Sequence, residues 1–62
     1  MHLLRRIERH LRQSGMTPTR FGREAVNDPR FVQDLRAGRE PRAHTAARGA
    51  AYLLRQEGRS AA

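Results

Sequence analysis

Cysteine, lysine and tryptophan are all missing from this 62-residue chain. Without cysteine, neither a disulfide nor a thiolate metal site can form. No apolar run approaches the roughly 20 residues that a bilayer span requires. The start, Met1-His2-Leu3-Leu4-Arg5-Arg6, is apolar before it is basic and no apolar stretch follows, which is not the order of a signal peptide. The expected location is therefore the cytoplasm, and no membrane partner is expected. Aromatic residues are few, two phenylalanines and one tyrosine, so a base-stacking platform for single strands is poorly supplied. A chain this short holds one domain with a marginal core and no room for a buried cleft. An enzyme with its own pocket is not expected, nor is a cofactor. The opening methionine and the small-residue tail read as the two ends of a whole product.

What the chain has in excess is arginine. All 13 basic residues are arginine, set against 6 acidic ones, for a formal net charge of +7. Codon bias in a GC-rich genome accounts for arginine in place of lysine. It does not account for the charge, since the same bias could have supplied as many acids. A surplus of this size favours a polyanion as partner.

Hydrophobic spacing and capping residues divide the chain into four helices. Leu3, Leu4, Ile7 and Leu11 form one stripe over Leu3 to Ser14, with Arg5, Arg9 and Arg12 opposite and Gly15 as the stop. Thr17-Pro18 and Asp28-Pro29 each put a capping oxygen before a proline at the first helical position, which marks two helix starts eleven residues apart. The second helix is expected over Pro18 to Ala25, with Phe21 and Ala25 inward, Gly22 allowing close backbone approach, and Val26 packed at the turn. Asn27 suits the left-handed residue of that turn. The third helix is expected from Pro29 to about Ala37, with Phe31, Val32 and Leu35 inward, Arg30, Gln33 and Ala37 opposite, and Gly38 closing it. Beyond the exposed connector Arg39-Glu40-Pro41-Arg42, the fourth helix should run from between Ala43 and Thr45 to about Gln56. Ala46, Ala47, Ala50, Ala51, Leu53 and Leu54 make up its apolar side, and Gly49 marks a close helix contact. Residues 1–57 read as the domain and 58–62 as a frayed tail.

Thr17 to Gly38 thus reads as cap, short helix, tight turn, cap, short helix, stop, which is the sequence form of a helix-turn-helix. The run Met16-Thr17-Pro18-Thr19-Arg20-Phe21-Gly22-Arg23-Glu24-Ala25-Val26-Asn27 resembles the second helix and turn of the lambda-repressor-like, Cro/C1-type (XRE) family. Phe21 matches that family's buried leucine, Gly22 its small alanine and Ala25 its next apolar position. Val32 and Leu35 match the apolar pair of its recognition helix, and Gly38-Arg39-Glu40-Pro41 resembles the segment leading to its fourth helix. The chain departs from the pattern at Pro18, at Val26-Asn27 and at Arg36.

The resemblance implies a compact all-α, four-helix lambda-repressor-like domain that acts as a sequence-specific, double-stranded DNA-binding regulator of transcription, associated with the nucleoid. It implies base contacts from Arg30 and Gln33, because arginine can donate twice to guanine and glutamine can read adenine edges. Asp34 would accept from cytosine or orient Arg30. Phosphate contacts would come from Thr17, Thr19 and Arg20 at the start of helix two, where free N–H groups attract anions, and from Arg36, Arg39 and Arg42. Regulators of this type usually bind as dimers, and Tyr52, Leu53 and Leu54 on helix four are the expected homodimer surface. The alternative is a small basic protein–protein adaptor of the same fold, antitoxin-like or polymerase-associated, since fold alone does not fix function. A basic peptide lying on membranes fits less well, because two cap–proline junctions build compact turns. His2, His10 and His44 lack metal-ligand spacing and read as solvated, and Glu24 and Glu57 as surface charges.

Overall fold

The computed structural model describes residues 3–61, with side chains described as far as Gly58. His2 and Ala62, on which parts of the sequence reading fall, lie outside them. The order is α1 (Leu3–Ser14), α2 (Pro18–Val26), α3 (Phe31–Arg36) and α4 (Ala43–Ala61), with no strand among the described residues. Both α3 and α4 rest on α1 and α2.

Local chemistry sets most of the boundaries. Gly15 takes φ 73° and its N–H donates to the Leu11 carbonyl at 2.9 Å, which ends α1. Thr17 caps α2: its hydroxyl oxygen accepts from the Arg20 N–H at 3.2 Å, and Pro18 holds the first helical position. Asn27 ends α2 in the left-handed region at φ 60°, and the next N–H, of Asp28, donates to the Gly22 carbonyl at 3.0 Å.

The start of α3 differs from the sequence expectation. Asp28 is the expected cap of the helix, but the cap position of α3 is Arg30, which has no side-chain cap bond. The Asp28 carboxylate accepts from the Arg30 N–H at 3.0 Å within a tight turn that the Phe31 N–H closes by donating to the Asp28 carbonyl at 3.1 Å. The helical ladder opens only at Asp34 N–H to Arg30 carbonyl, 2.8 Å, so α3 begins at Phe31 and not at Pro29. At its other end Gly38 (φ 90°) and Arg39 donate to the Leu35 and Asp34 carbonyls, both at 3.0 Å, a two-bond closure that stops the helix.

The core joins all four helices through Ile7, Leu11, Phe21, Ala25, Val26, Phe31, Val32, Tyr52 and Leu53, with Leu3, Leu4, Met16 and Leu35 packed at its margin. The phase of α4 departs from expectation. Gly49, Tyr52 and Leu53 face inward, whereas Ala47, Ala51 and Leu54 face out. Alanine is apolar but too small to fix a helix's rotation, and here the larger Tyr52 and Leu53 fix it. The expected dimer surface changes accordingly: Tyr52 and Leu53 are core residues, 6% and 0% exposed, and only Leu54, 62% exposed, remains available. The helix also continues past Gln56 to Ala61. Gly58 lies within it, and one glycine costs a helix only about 1 kcal/mol.

Two glycines hold Phe31 in place. A Cβ on Gly22 would overlap the Asp28 carbonyl oxygen and lie 3.2 Å from the Phe31 Cβ. A Cβ on Gly49 would meet the Phe31 ring at 3.4 Å, an ordinary contact. The same substitution should therefore have opposite effects at the two sites. Gly22→Ala is expected to destabilise by about 2 kcal/mol or more through overpacking against backbone. Gly49→Ala is expected to be neutral or to stabilise by up to about 1 kcal/mol through helix propensity. Urea unfolding of both variants checks this, and equal losses at the two positions would contradict the packing described.

Candidate nucleic-acid interface

The turn over 27–30 joins α2 to α3, and its geometry decides which way α3 faces. Phe31 (4% exposed) and Val32 (0%) enter the core and Leu35 packs at its edge. At about 100° per residue, their opposite side carries Gln33 and Ala37, with Arg30 just ahead of the helix, and all three are exposed. Asp34 is half-buried. It makes no ion pair with Arg30 among the described residues, and their link is the backbone bond already given.

The residues expected to meet phosphates fall into two groups. Thr17, Thr19, Arg39 and Arg42 are exposed, Thr17 with its oxygen already committed to capping. The two others are engaged within the protein. Arg36 makes a two-pronged bond to Glu8 across α3 and α1, Nε at 2.8 Å and Nη2 at 2.7 Å. Arg20 Nε donates to Glu24 at 2.6 Å, one turn along α2. A guanidinium has five donors, so the pair leaves part of Arg20 open at the surface. Arg36 is turned toward α1 and braces α3 from the side.

Glu24 is more than a surface charge. Its other oxygen accepts from the Tyr52 hydroxyl at 2.8 Å, so one carboxylate links Arg20, α2 and the buried end of α4's tyrosine. His10 is not a fully solvated histidine either. Its ring meets Phe21 and Tyr52 edge-on, with centroids 6.0 and 6.5 Å apart, and its Nε2 is enclosed without a protein partner. Phe21 and Tyr52 are themselves perpendicular at 5.2 Å, so three rings form a single edge-to-face cluster. The Arg20–Glu24 spacing was visible in the sequence as an i, i+4 pair. The reach of Tyr52 and His10 was not, because both contacts cross between helices.

These bonds shift the acids. Hydrogen bonding from Arg36 holds the Glu8 carboxyl below its usual range against the desolvation that opposes it, and the charges of Arg36 and Arg12 add to the effect. The bond from Arg20, then that from Tyr52, does the same to Glu24. Burial, then the bond to Glu24, pushes the Tyr52 hydroxyl up.

Among the described residues no group of three or more His, Cys, Asp or Glu side chains is placed to hold a metal ion. Among the same residues no helix is long and apolar enough to cross a membrane. Compared with protein families, curated proteins and solved structures, the chain matches none.

Glu8 and Glu24 both ionise more readily folded than in the unfolded chain, where a glutamate titrates near about 4.3. Each therefore adds stability above that value, and the contribution is lost as pH falls through the lower folded value. Melting temperature should hold between neutrality and about pH 5 and then drop. The acid-side drop should be shallower in a Glu8→Gln/Glu24→Gln variant, and parallel curves for the two proteins would remove these carboxylates as its cause.

Proposed function

We propose that the chain is a sequence-specific, double-stranded DNA-binding regulator of transcription in which α2 and α3 act as a helix-turn-helix of the lambda-repressor-like kind. One observation carries the reading: Arg30 and Gln33 stand free on the outer side of a short helix whose other side is locked into the core. A B-DNA major groove is about 12 Å wide and admits such a helix. In this reading residues 29–37 enter the groove, Arg30 and Gln33 read base edges, and Asp34 sits at the margin. Arg39 and Arg42, just past the helix end, meet phosphates, as do Thr17 and Thr19 at the start of α2, with the open side of Arg20 beside them. Arg36 serves by positioning α3. Its place of action would be the nucleoid. A second copy paired across α4 would have Leu54 alone to rest on.

A second reading, a protein-docking adaptor, draws on a different feature. An open groove of about 550 Å³ lies between the start of α1 and the connector before α4, lined largely by Leu3, Leu4, Leu35, Pro41 and Ala46.

Binding to random and genomic duplexes over a salt series separates the two. A base reader keeps a preference among sequences as salt rises, whereas association through phosphates alone weakens steeply and equally for all. Arg30→Ala/Gln33→Ala should lower affinity for the preferred duplex about tenfold or more, since a good bidentate contact contributes about 1–3 kcal/mol of discrimination. If the preference is unchanged in that variant, Arg30 and Gln33 do not read DNA, and wild-type protein that shows no preference at any salt leaves the adaptor reading.

A further inference from the structure

We propose that the outer side of α1 is a second nucleic-acid-binding face, a stripe of Arg5, Arg9 and Arg12 that grips a phosphodiester strand independently of α3. This rests on the chain being a nucleic-acid binder, though not on α3 being its reader.

The stripe is defined by position. Arg5, Arg9 and Arg12 fall at i, i+4 and i+7 on the side of α1 opposite Ile7 and Leu11, and all three are exposed. None forms an ion pair with another described residue. With Arg6 they line an open groove of about 300 Å³ that has no other lining residue. Arg6 differs from the rest, its guanidinium reaching Glu57 at 3.6 Å.

An ordinary solvated helix face alternates charges, so that neighbours one turn apart attract. This one does the reverse. Arg5 and Arg9 repel at i, i+4, and Arg9 and Arg12 at i, i+3. The first turn of α1 holds no acid, so Arg5 also opposes the positive end of the helix dipole. Glu8 is the one acid of α1; its oxygens are held in the two-pronged bond with Arg36, and Arg12, four residues on, adds its charge to that carboxylate without forming an ion pair. Three unfavourable terms are thus gathered on one face, and a bound polyanion relieves all of them together.

The dimensions favour a nucleic-acid strand. Seven residues at about 1.5 Å per residue separate Arg5 from Arg12 by about 10 Å along the helix. Phosphates follow one another at about 3.4 Å of rise along one strand, so the stripe spans about three of them. Other partners fit poorly. Protein interfaces are anchored by apolar or aromatic residues in desolvated pockets, and this groove offers none. A membrane surface would call for apolar residues to insert, but Ile7 and Leu11 are 0% and 7% exposed, facing the core.

The test is the salt dependence of binding to a duplex of mixed sequence. Each phosphate contact contributes about 0.9 to the slope of log K against log salt. Arg5→Gln/Arg9→Gln/Arg12→Gln should reduce the slope by about two to three. Circular dichroism should be unchanged, because these side chains are exposed and none belongs to the core. Arg48→Gln/Arg55→Gln, which removes exposed charge from α4, should leave the slope in place. An unaltered slope in the triple variant overturns the proposal, and so do reductions in the two variants in proportion to the charges removed, three against two, which would mean that net charge alone matters. Repeating the series in the Arg30→Ala/Gln33→Ala background keeps the two readings apart. A stripe effect that persists where those two substitutions do nothing removes α3 and keeps α1. Loss of preference through Arg30 and Gln33 without a stripe effect does the opposite. Wild-type protein that binds no duplex at low salt removes both.

Discussion

Phe31 is held between two glycines on two different helices, and the orientation of α3 follows from that. Its Cβ abuts the backbone of α2 at Gly22, and its ring lies against α4 at Gly49. The Asp28 carbonyl, pressed against the same Gly22, accepts the Phe31 N–H. Turn, helix start and ring are therefore fixed at one point. Rotating α3 would pull the ring off Gly49, and moving it away from α2 would leave Val32 without its seat. Because Phe31 points in, Gln33 points out.

Capping chemistry was legible in the sequence wherever a single residue type decides the outcome. Thr17 and Asn27 begin or end a helix through their side chains, Gly15 and Gly38 end one because they lack a Cβ, and the inward sets of α1, α2 and α3 follow from spacing. The start of α3 was legible only to within a turn, because a cap followed by proline opens either a helix or a tight turn, and the sequence does not distinguish the two. The rotation of α4 was not legible because the four alanines 46, 47, 50 and 51 signal apolarity without size. Gly49, facing a ring, was the better guide to its inner side. The roles of Glu8, Glu24, His10 and Tyr52 depend on partners in other helices, and no local pattern records these. The faces proposed for binding were legible as polar sides of helices, whereas the diversion of Arg36 into the fold was not.

The acids account for how the charge is distributed. Glu8 ties α1 to α3 through Arg36, Glu57 meets Arg6 between α4 and α1, and Glu24 gathers Arg20 and Tyr52. Half-exposed pairs of this kind add little to stability. Two of them join helices, α1 to α3 and α1 to α4, and together they occupy Arg36, Arg6 and Arg20. The arginines left over, on α1, ahead of α3 and on the connector, are exposed and form no ion pair among the described residues.

A six-residue helix is far too short to persist alone in water, so α3 exists only because its inner side is held by the core. That separates two demands on one segment. Phe31, Val32 and Leu35 carry the packing, while Arg30 and Gln33 serve the fold through their backbones and leave their side chains exposed. In a domain whose core is a single small cluster, the residues of that cluster cannot change without risk to stability. The outer side of α3 is free of that constraint, and its chemistry can be tuned to a ligand while the scaffold beneath stays the same.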